Sequence, residues 1–343
     1  MFYKKSALLL CILLTLGISA CGKKENINEK KEISEYAFLA TDVRNHSIVV
    51  FDLALTEGNF QNLANGDQCV VWEWDEDDVS DGVDRRGGGF DAAKLRYSPY
   101  YGKDVVIACS SGGWAGVIDY ETQAVLWEWC PGRGNFHSIE MMPNGDIVVA
   151  GAGGDGRIYY IPVASGVTEP SHSIGSPSGH GVVYDPETEW LWILDYDEIY
   201  ACTVSGYGTA EAELERVKGT NIFLGSEKDG HVLSPVFGEP GKFWVAISAR
   251  VYLFDAKEKS LTEAPDYYND KLVKGMAYLP NQTMVMTVAQ TGNATFDWSC
   301  GEIRIVAMES SDSNNQEFVA VDTNVAFDDR EFYKVYPFTK DYH

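Results

Sequence analysis

After Tyr36 the chain alternates short runs rich in Val, Ile, Trp and Tyr with turns rich in Gly, Asn, Asp and Pro. The runs follow one another in a repeating order of four, with a period of roughly 40–45 residues. No stretch after residue 35 has the periodicity of a helix. Four short strands per repeat at this period are typical of a β-propeller, in which the repeats form blades around a central channel. The pattern therefore predicts one all-β domain over residues 36–343.

The two ends of this domain complement each other. The first unit contains three strands and lacks an inner one before them: Phe38–Thr41, Ile48–Asp52 and Val70–Trp74. The last segment, Phe332–Tyr336, has the pattern of an inner strand with no others after it. Joining the ends completes one blade, which predicts a six-bladed propeller closed by pairing of the N- and C-terminal strands. Seven blades are the alternative, because the stretches Leu53–Ala92 and Gly206–Asp229 are long enough to hold further strands.

Residues 1–20 have the features of a secretory signal peptide. Two lysines precede an apolar run from Ala7 to Ile18, which is too short to span a membrane. The residues Ile-Ser-Ala before Cys21 resemble the bacterial lipobox, which implies that Cys21 becomes the lipidated first residue of the mature chain. Residues 21–35 are rich in Lys, Glu and Asn and predict a flexible tether. We therefore expect a lipid-anchored protein of the bacterial cell envelope, on the periplasmic side or the outer surface.

Parts of the repeat resemble known propeller families. The segment Ile118–Thr122, followed by Val125–Trp127, resembles the tryptophan-docked repeat of quinoprotein-type propellers. The string His137–Asp146 resembles a segment of arylsulfotransferase-like six-bladed propellers, and this implies that His137 lies at the channel. The pattern as a whole resembles an uncharacterised family of bacterial lipoprotein propellers.

Basic side chains recur at the start of the inner strands. This position holds a histidine in three consecutive blades and a lysine in the next two, and a further lysine falls at, or one residue from, the sixth: His137, His180, His231, Lys274, Lys334 and Lys94. Because the inner strands of a propeller start around one central mouth, equivalent positions become neighbours in space. The sequence therefore predicts that these side chains converge.

Three converging imidazoles allow three roles. They can hydrogen-bond backbone groups as a structural ring, they can hold a divalent metal ion, or they can act as nucleophile or acid and base, since their pKa falls near neutral pH. We therefore treat His137, His180 and His231 both as candidate catalytic residues and as candidate metal ligands. The cluster is similar to that of oligogalacturonate lyases, which implies a metal beside an acidic sugar. The cofactor is left open, with a divalent metal as one alternative.

The turns between the second and third strands of each blade, which we call B–C turns, lie on the same face as this mouth. They supply candidate ligand-binding residues in addition to Lys94, Lys274 and Lys334: Arg44, Arg157, Arg250, Trp114 and Trp298. Guanidinium and ammonium groups suit carboxylates or sulfates, and tryptophan faces suit sugar rings. We therefore expect a small organic anion or an acidic glycan as the ligand.

Two functions fit these residues. The first is a binding or scaffolding propeller that captures an anionic or glycan ligand in its central funnel, and a protein of the envelope is a second kind of partner for it. The alternative is an enzyme, similar to a lyase, sulfotransferase or hydrolase, that acts on an acidic glycan or ester through the histidines. The net charge of −24 disfavours nucleic acid as a partner, and we expect membrane contact only through the lipid.

Overall fold

The computed structural model describes residues 33–56, 66–75, 89–131, 134–153, 156–226, 228–310 and 318–342. These residues form six small antiparallel sheets, which are the six blades of a β-propeller. The described helical structure consists of short 3₁₀ turns at Leu53–Thr56, Gly66–Cys69 and Val163–Ser165. None of the described helices has the length and apolarity needed to cross a membrane.

The strands of each blade are given from the innermost outward, and the blades follow chain order. Blades 1 to 3 contain β25 (Phe332–Pro337), β1 (Ala37–Asp42), β2 (Ser47–Asp52) and β3 (Val70–Asp75); β4 (Phe90–Ser98), β5 (Lys103–Ser110), β6 (Trp114–Asp119) and β7 (Val125–Trp129); and β8 (Phe136–Met141), β9 (Ile147–Gly151), β10 (Arg157–Ile161) and β11 (His172–Gly175). Blades 4 to 6 contain β12 (Gly181–Asp185), β13 (Trp190–Leu194), β14 (Glu198–Ser205) and β15 (Glu213–Arg216), with β16 (Ile222–Phe223) also on β14; β17 (Gly230–Pro235), β18 (Lys242–Ile247), β19 (Val251–Asp255) and β20 (Ser260–Glu263); and β21 (Val273–Tyr278), β22 (Met284–Val288), β23 (Glu302–Ser310) and β24 (Phe318–Ala326).

The ring closes in blade 1, where the last strand of the chain lies inside the first. β25 pairs antiparallel with β1, with Leu39 opposite Tyr336 and Phe38 opposite Pro337. The predicted closure and the count of six blades are thus confirmed. Part of the stretch that suggested a seventh blade forms β16, and this short strand pairs with β14 and so extends blade 4. Residues 57–65 and 76–88 of the other long stretch lie outside the described residues.

Apolar side chains fill the spaces between neighbouring blades, because both faces of each sheet are covered. Trp129 on the outermost strand of blade 2 stacks on Phe136 of blade 3, with ring centroids 5.3 Å apart. Trp74 of blade 1 stacks in the same way on Trp114 of blade 2. The inner strands approach each other so closely that a Cβ at Gly275 would lie 2.5 Å from the backbone nitrogen of Val335. The inner strands of the ring therefore form a narrow central channel.

β-Bulges mark the start of most inner strands. In blades 2, 3, 5 and 6 the register shifts at one extra residue each: Asp91, His137, His231 and Lys274. In blade 1, Tyr333 and Lys334 together face Thr41 on β1. A bulge turns a side chain away from the regular alternation of the strand and is common near functional sites. The fold thus places a set of polar side chains at equivalent positions around the channel.

Candidate functional site

The three predicted histidines meet at one mouth of the channel. The rings of His137 and His180 stack with centroids 4.3 Å apart and an angle of 13° between their planes. The ring of His231 meets His180 edge to face at 5.1 Å. His180 and His231 are 8% and 6% exposed, so both imidazoles are almost removed from water.

Two of the predicted lysines join the histidines. Lys274 Nζ donates to Nε2 of His231 at 2.7 Å. Lys334 Nζ donates to the backbone carbonyls of His137 at 2.9 Å and His180 at 2.8 Å. Among the described residues, neither ammonium group forms an ion pair with a carboxylate. We call His137, His180, His231, Lys274 and Lys334 the central cluster.

Lys94 does not occupy the sixth register position that the sequence suggested. That position is the bulge residue Asp91, whose carboxylate Oδ1 lies 3.0 Å from His137 Nδ1. Lys94 lies three residues further along β4, where its Nζ contacts Glu140 at 3.0 Å and the carbonyl of Val182 at 2.8 Å. The prediction was wrong because the bulge shifts the alternation, and a bulge adds no residue type that the sequence pattern reveals.

A second charged group lies deeper in the channel. Glu140 is fully buried, and Arg96 donates to both of its oxygens, at 2.7 and 3.0 Å. Lys94 shares the same carboxylate. The guanidinium of Arg96 also lies over the ring of Tyr342, 4.7 Å from the ring centroid. We call Lys94, Arg96 and Glu140 the buried triad.

Burial lowers the pKa values of the basic groups at the channel. Loss of hydration lowers the pKa of Lys334 to about 7 against the attraction of Asp91, and repulsion from Lys94 and Lys274 lowers it further. Burial lowers the pKa of Lys94 to about 8, although Glu140 acts in the opposite direction. Burial also lowers the pKa of Lys274.

The two buried imidazoles are neutral at pH 7. Burial, with repulsion from His137 and Lys334, holds the pKa of His180 well below its usual value. Burial is also the main cause that lowers the pKa of His231, whose Nε2 accepts from Lys274. The Nδ1 of His231 is buried without a hydrogen-bond partner among the described residues. Neutral imidazoles of this kind act as hydrogen-bonding groups and not as cations.

The cluster does not have the geometry of a metal site. Among the residues that the structure describes, no group of three or more His, Cys, Asp or Glu side chains could hold a metal ion. Parallel rings direct their in-plane lone pairs side by side, whereas a zinc-like ion needs several nitrogens aimed at one point at about 2.0–2.1 Å. The Lys274 ammonium also contacts Nε2 of His231. These residues therefore do not fit the divalent metal that the sequence left open.

The three predicted arginines bind within and between the outer parts of the blades. Arg44 contacts Glu331 and the hydroxyl of Thr295, so it ties blade 1 to blade 6. Arg157 donates to Ser173 on the neighbouring strand, and Arg250 pairs with Glu263 in blade 5. Each guanidinium is thus engaged at its own blade, and none contacts a member of the central cluster.

The two predicted tryptophans have different surroundings. Trp114 is 2% exposed and packs between Trp74 and Phe90, so it offers no open face to a sugar. Trp298 is 36% exposed, stacks on Phe296 at 4.9 Å and meets Tyr333 edge to face at 5.3 Å. Tyr333 in turn lies 6.0 Å from the ring of His137. Trp298 therefore belongs to the rim of the central cluster.

Sequence reasoning missed several residues that hold this site together. Glu331 is fully buried and accepts hydrogen bonds from the backbone nitrogens of Thr295 and Phe296, at 2.7 and 2.9 Å. It also accepts from the hydroxyl of Ser299. Glu331 thereby positions the loop that carries Phe296 and Trp298. Its signal in the sequence was its place just before β25, but nothing in the pattern indicates a partner so distant along the chain.

The predicted signal peptide, most of the tether and the lipidation residue Cys21 lie outside the described residues. No curated protein matches the chain. Several solved structures resemble it at low identity. The dihydro-heme d1 dehydrogenase NirN, in complex with DHE, is 13% identical over 88% of this chain with a TM-score of 0.42, and this chain spans 56% of that one. A protein of unknown function from Bacteroides caccae is 10% identical over 88% of this chain and 97% of its own, with a TM-score of 0.47. A chain of the mitotic checkpoint complex is 11% identical over 94% of this chain and 91% of its own, with a TM-score of 0.50.

At such identities a structural likeness concerns the fold alone. A family model, in contrast, matches most of the sequence, from residue 3 to residue 294, and it is that of a family of unknown function, DUF6528. The chain belongs to this family.

Proposed function

We propose that the propeller is a binding module that takes a small organic anion with a ring, an acidic sugar being the best match, at the mouth formed by the central cluster. The observation that carries the proposal is the state of Lys274 and Lys334. Both ammonium groups are buried, and within the described part of the chain neither has a carboxylate partner. A buried cation without a counter-ion is costly, and an anionic ligand would compensate it.

The charge balance around the channel supports an anion. Four cations lie there: Lys94, Arg96, Lys274 and Lys334. Three carboxylates accompany them: Asp91, Glu140 and Asp229. With neutral imidazoles this gives a net of one positive charge, in a protein whose formal net charge is −24. A positive site in an acidic body with low-dielectric walls concentrates an anion at that point.

Neutral and apolar groups at the mouth support a ligand with a ring. The buried Nδ1 of His231 has no partner among the described residues and can donate to a ligand oxygen. The stacked pair Phe296 and Trp298 presents an aromatic face next to Tyr333. Aromatic faces of this kind suit the apolar side of a sugar ring. A carboxylate on the lysines and a ring on Trp298 together describe a uronic acid.

A binding measurement tests this proposal. We expect wild-type protein to bind galacturonate or glucuronate in calorimetry at pH 6.5, and we expect Lys334→Met to weaken binding at least tenfold through loss of the ammonium. Lys242→Met is the matched control, because Lys242 is a surface lysine paired with Glu239. The proposal fails if no uronate or sulfated sugar binds the wild type, or if both variants bind equally well.

An enzyme acting on an acidic glycan or ester through the same cluster is the second candidate. The observation that favours it is the pKa of Lys334, about 7, which leaves part of the amine free to accept a proton at neutral pH. Turnover of a uronate polymer or ester by the wild type, and its loss in Lys334→Met, would support this candidate. Ligand capture without turnover supports the binding module.

We further propose that the propeller is displayed from the bacterial cell envelope by a lipid on Cys21. The lipobox-like residues before Cys21 and the polar segment after it support this display. We expect wild-type protein expressed in a bacterium to sediment with membranes and to incorporate labelled palmitate. Cys21→Ser should leave the protein in the soluble fraction and unlabelled, while Cys130→Ser, which changes a cysteine of the propeller, should behave as wild type. Membrane association of Cys21→Ser at wild-type level would contradict the lipid anchor.

A further inference from the structure

A second set of exposed aromatic side chains lies on the same face as the central cluster. Tyr196 is 44% exposed and occupies the B–C turn of blade 4, and Phe223 is 70% exposed on the connection from blade 4 to blade 5. In a blade of four antiparallel strands, the B–C turn and the connection to the next blade lie at the end where the inner strand starts. Both side chains therefore lie on the face of the histidines.

Hydrogen bonds tie these aromatic residues to the segment that leads into the cluster. The backbone nitrogens of Asp229 and Gly230 donate to the carbonyl of Tyr196, at 2.8 and 3.2 Å. The backbone nitrogen of Leu224, next to Phe223, donates to the carbonyl of Asp197 at 2.9 Å. His231 follows Gly230 directly on β17. Tyr196 and Phe223 thus belong to the rim that adjoins His231.

The other aromatic pair, Phe296 and Trp298, belongs to blade 6, and blade 5 lies between the two groups. Phe296 is 43% exposed, and Glu331 fixes its loop. Large aromatic side chains exposed at two places around a charged mouth mark a ligand site wider than a single small molecule. A lone monosaccharide on Trp298 and Lys334 would leave Tyr196 and Phe223 unused.

We propose that the ligand is a short oligosaccharide of acidic sugars that lies across this mouth. One charged unit contacts the central cluster and stacks on Trp298, and the units that follow stack on Tyr196 and Phe223. The inference rests on the function proposed above and specifies its substrate class. The net charge of −24 repels a long polyanion, which restricts the ligand to a few units held near the lysines.

The test compares galacturonate with tetragalacturonate by calorimetry. We expect wild-type protein to bind the tetramer at least tenfold more tightly than the monomer. The double variant Tyr196→Ala/Phe223→Ala should weaken tetramer binding about five- to tenfold and leave monomer binding unchanged, because only the tetramer reaches these rings. Trp298→Ala should weaken both ligands. Tyr97→Ala is the matched control, since Tyr97 is a 53% exposed tyrosine near the opposite end of an inner strand.

The outcomes separate the two proposals. If the monomer binds and the tetramer is no tighter, or if Tyr196→Ala/Phe223→Ala binds the tetramer as wild type does, the extended site is refuted while the anion site stands. If neither ligand binds and sulfated sugars also fail, the proposed function itself is refuted. A tetramer that binds more tightly and loses that gain in the double variant but not in Tyr97→Ala supports the extended site.

Discussion

Glu140→Ala is expected to destabilise the folded propeller by about 3–5 kcal/mol. The carboxylate of Glu140 is fully buried and receives hydrogen bonds from Arg96 Nε, Arg96 Nη2 and Lys94 Nζ. Its removal leaves two buried cations without a counter-ion. Lys94 can release its proton, since burial already lowers its pKa to about 8, but a guanidinium cannot. Chemical denaturation in guanidinium chloride, with comparison of midpoints and slopes, measures the loss.

Two further variants make this prediction specific. Glu198→Ala is the matched control, because Glu198 pairs with Arg216 at 2.8 Å but the arginine side chain is 38% exposed, so its loss should cost at most about 1 kcal/mol. The triple variant Lys94→Met/Arg96→Met/Glu140→Leu should recover most of the stability, since it removes the charges together with their partner. If Glu140→Ala does not fold, recovery in the triple variant still identifies unpaired charge as the cause. Equal losses in Glu140→Ala and Glu198→Ala would contradict the assigned role of the buried triad.

The alternation of apolar runs predicted the strands and the closure of the ring correctly. Side chains of period two and turn residues between them are local signals, and the missing inner strand of the first unit could be matched to the last strand of the chain. The same repeat aligned His137, His180 and His231, and the structure brings these rings together. A closed ring makes equivalent positions neighbours, so repeat register carries information about contacts that are distant in sequence.

Other parts of the site could not be read from the repeat. The bulge at Asp91 moved the register of β4, so Lys94 was aligned where Asp91 lies. Trp114 and Trp298 both follow B–C turns or lie within them, but one is buried between blades and the other lies at the mouth. The pairing of Glu140 with Arg96 joins blades 2 and 3 through side chains alone. Such contacts depend on the packing between blades, which strand alternation does not encode.

Lys334 should make the stability and the ligand affinity of the protein depend on pH above 7. Its pKa is about 7 in the folded protein, whereas an unfolded lysine has a pKa of about 10.4. Between these values the unfolded chain binds more protons, so the free energy of unfolding rises with pH. Integrated from pH 7 to pH 8.5, this single group contributes about 1–2 kcal/mol. Over the same interval the protonated fraction of Lys334 falls more than tenfold, and uronate affinity should fall by about tenfold with it.

Lys334→Met should remove both dependences. Its unfolding free energy may start lower than that of wild type, because the carbonyls of His137 and His180 lose their donor. The slope between pH 7 and pH 8.5 is therefore the readout, measured from denaturation midpoints at constant ionic strength. Lys242→Met, which changes an exposed lysine, should keep the wild-type slope. Histidines 180 and 231 have lowered pKa values and complete their contribution below about pH 6.5, so they leave this window unaffected. A slope in Lys334→Met equal to that of wild type would show that the buried ammonium is not the titrating group.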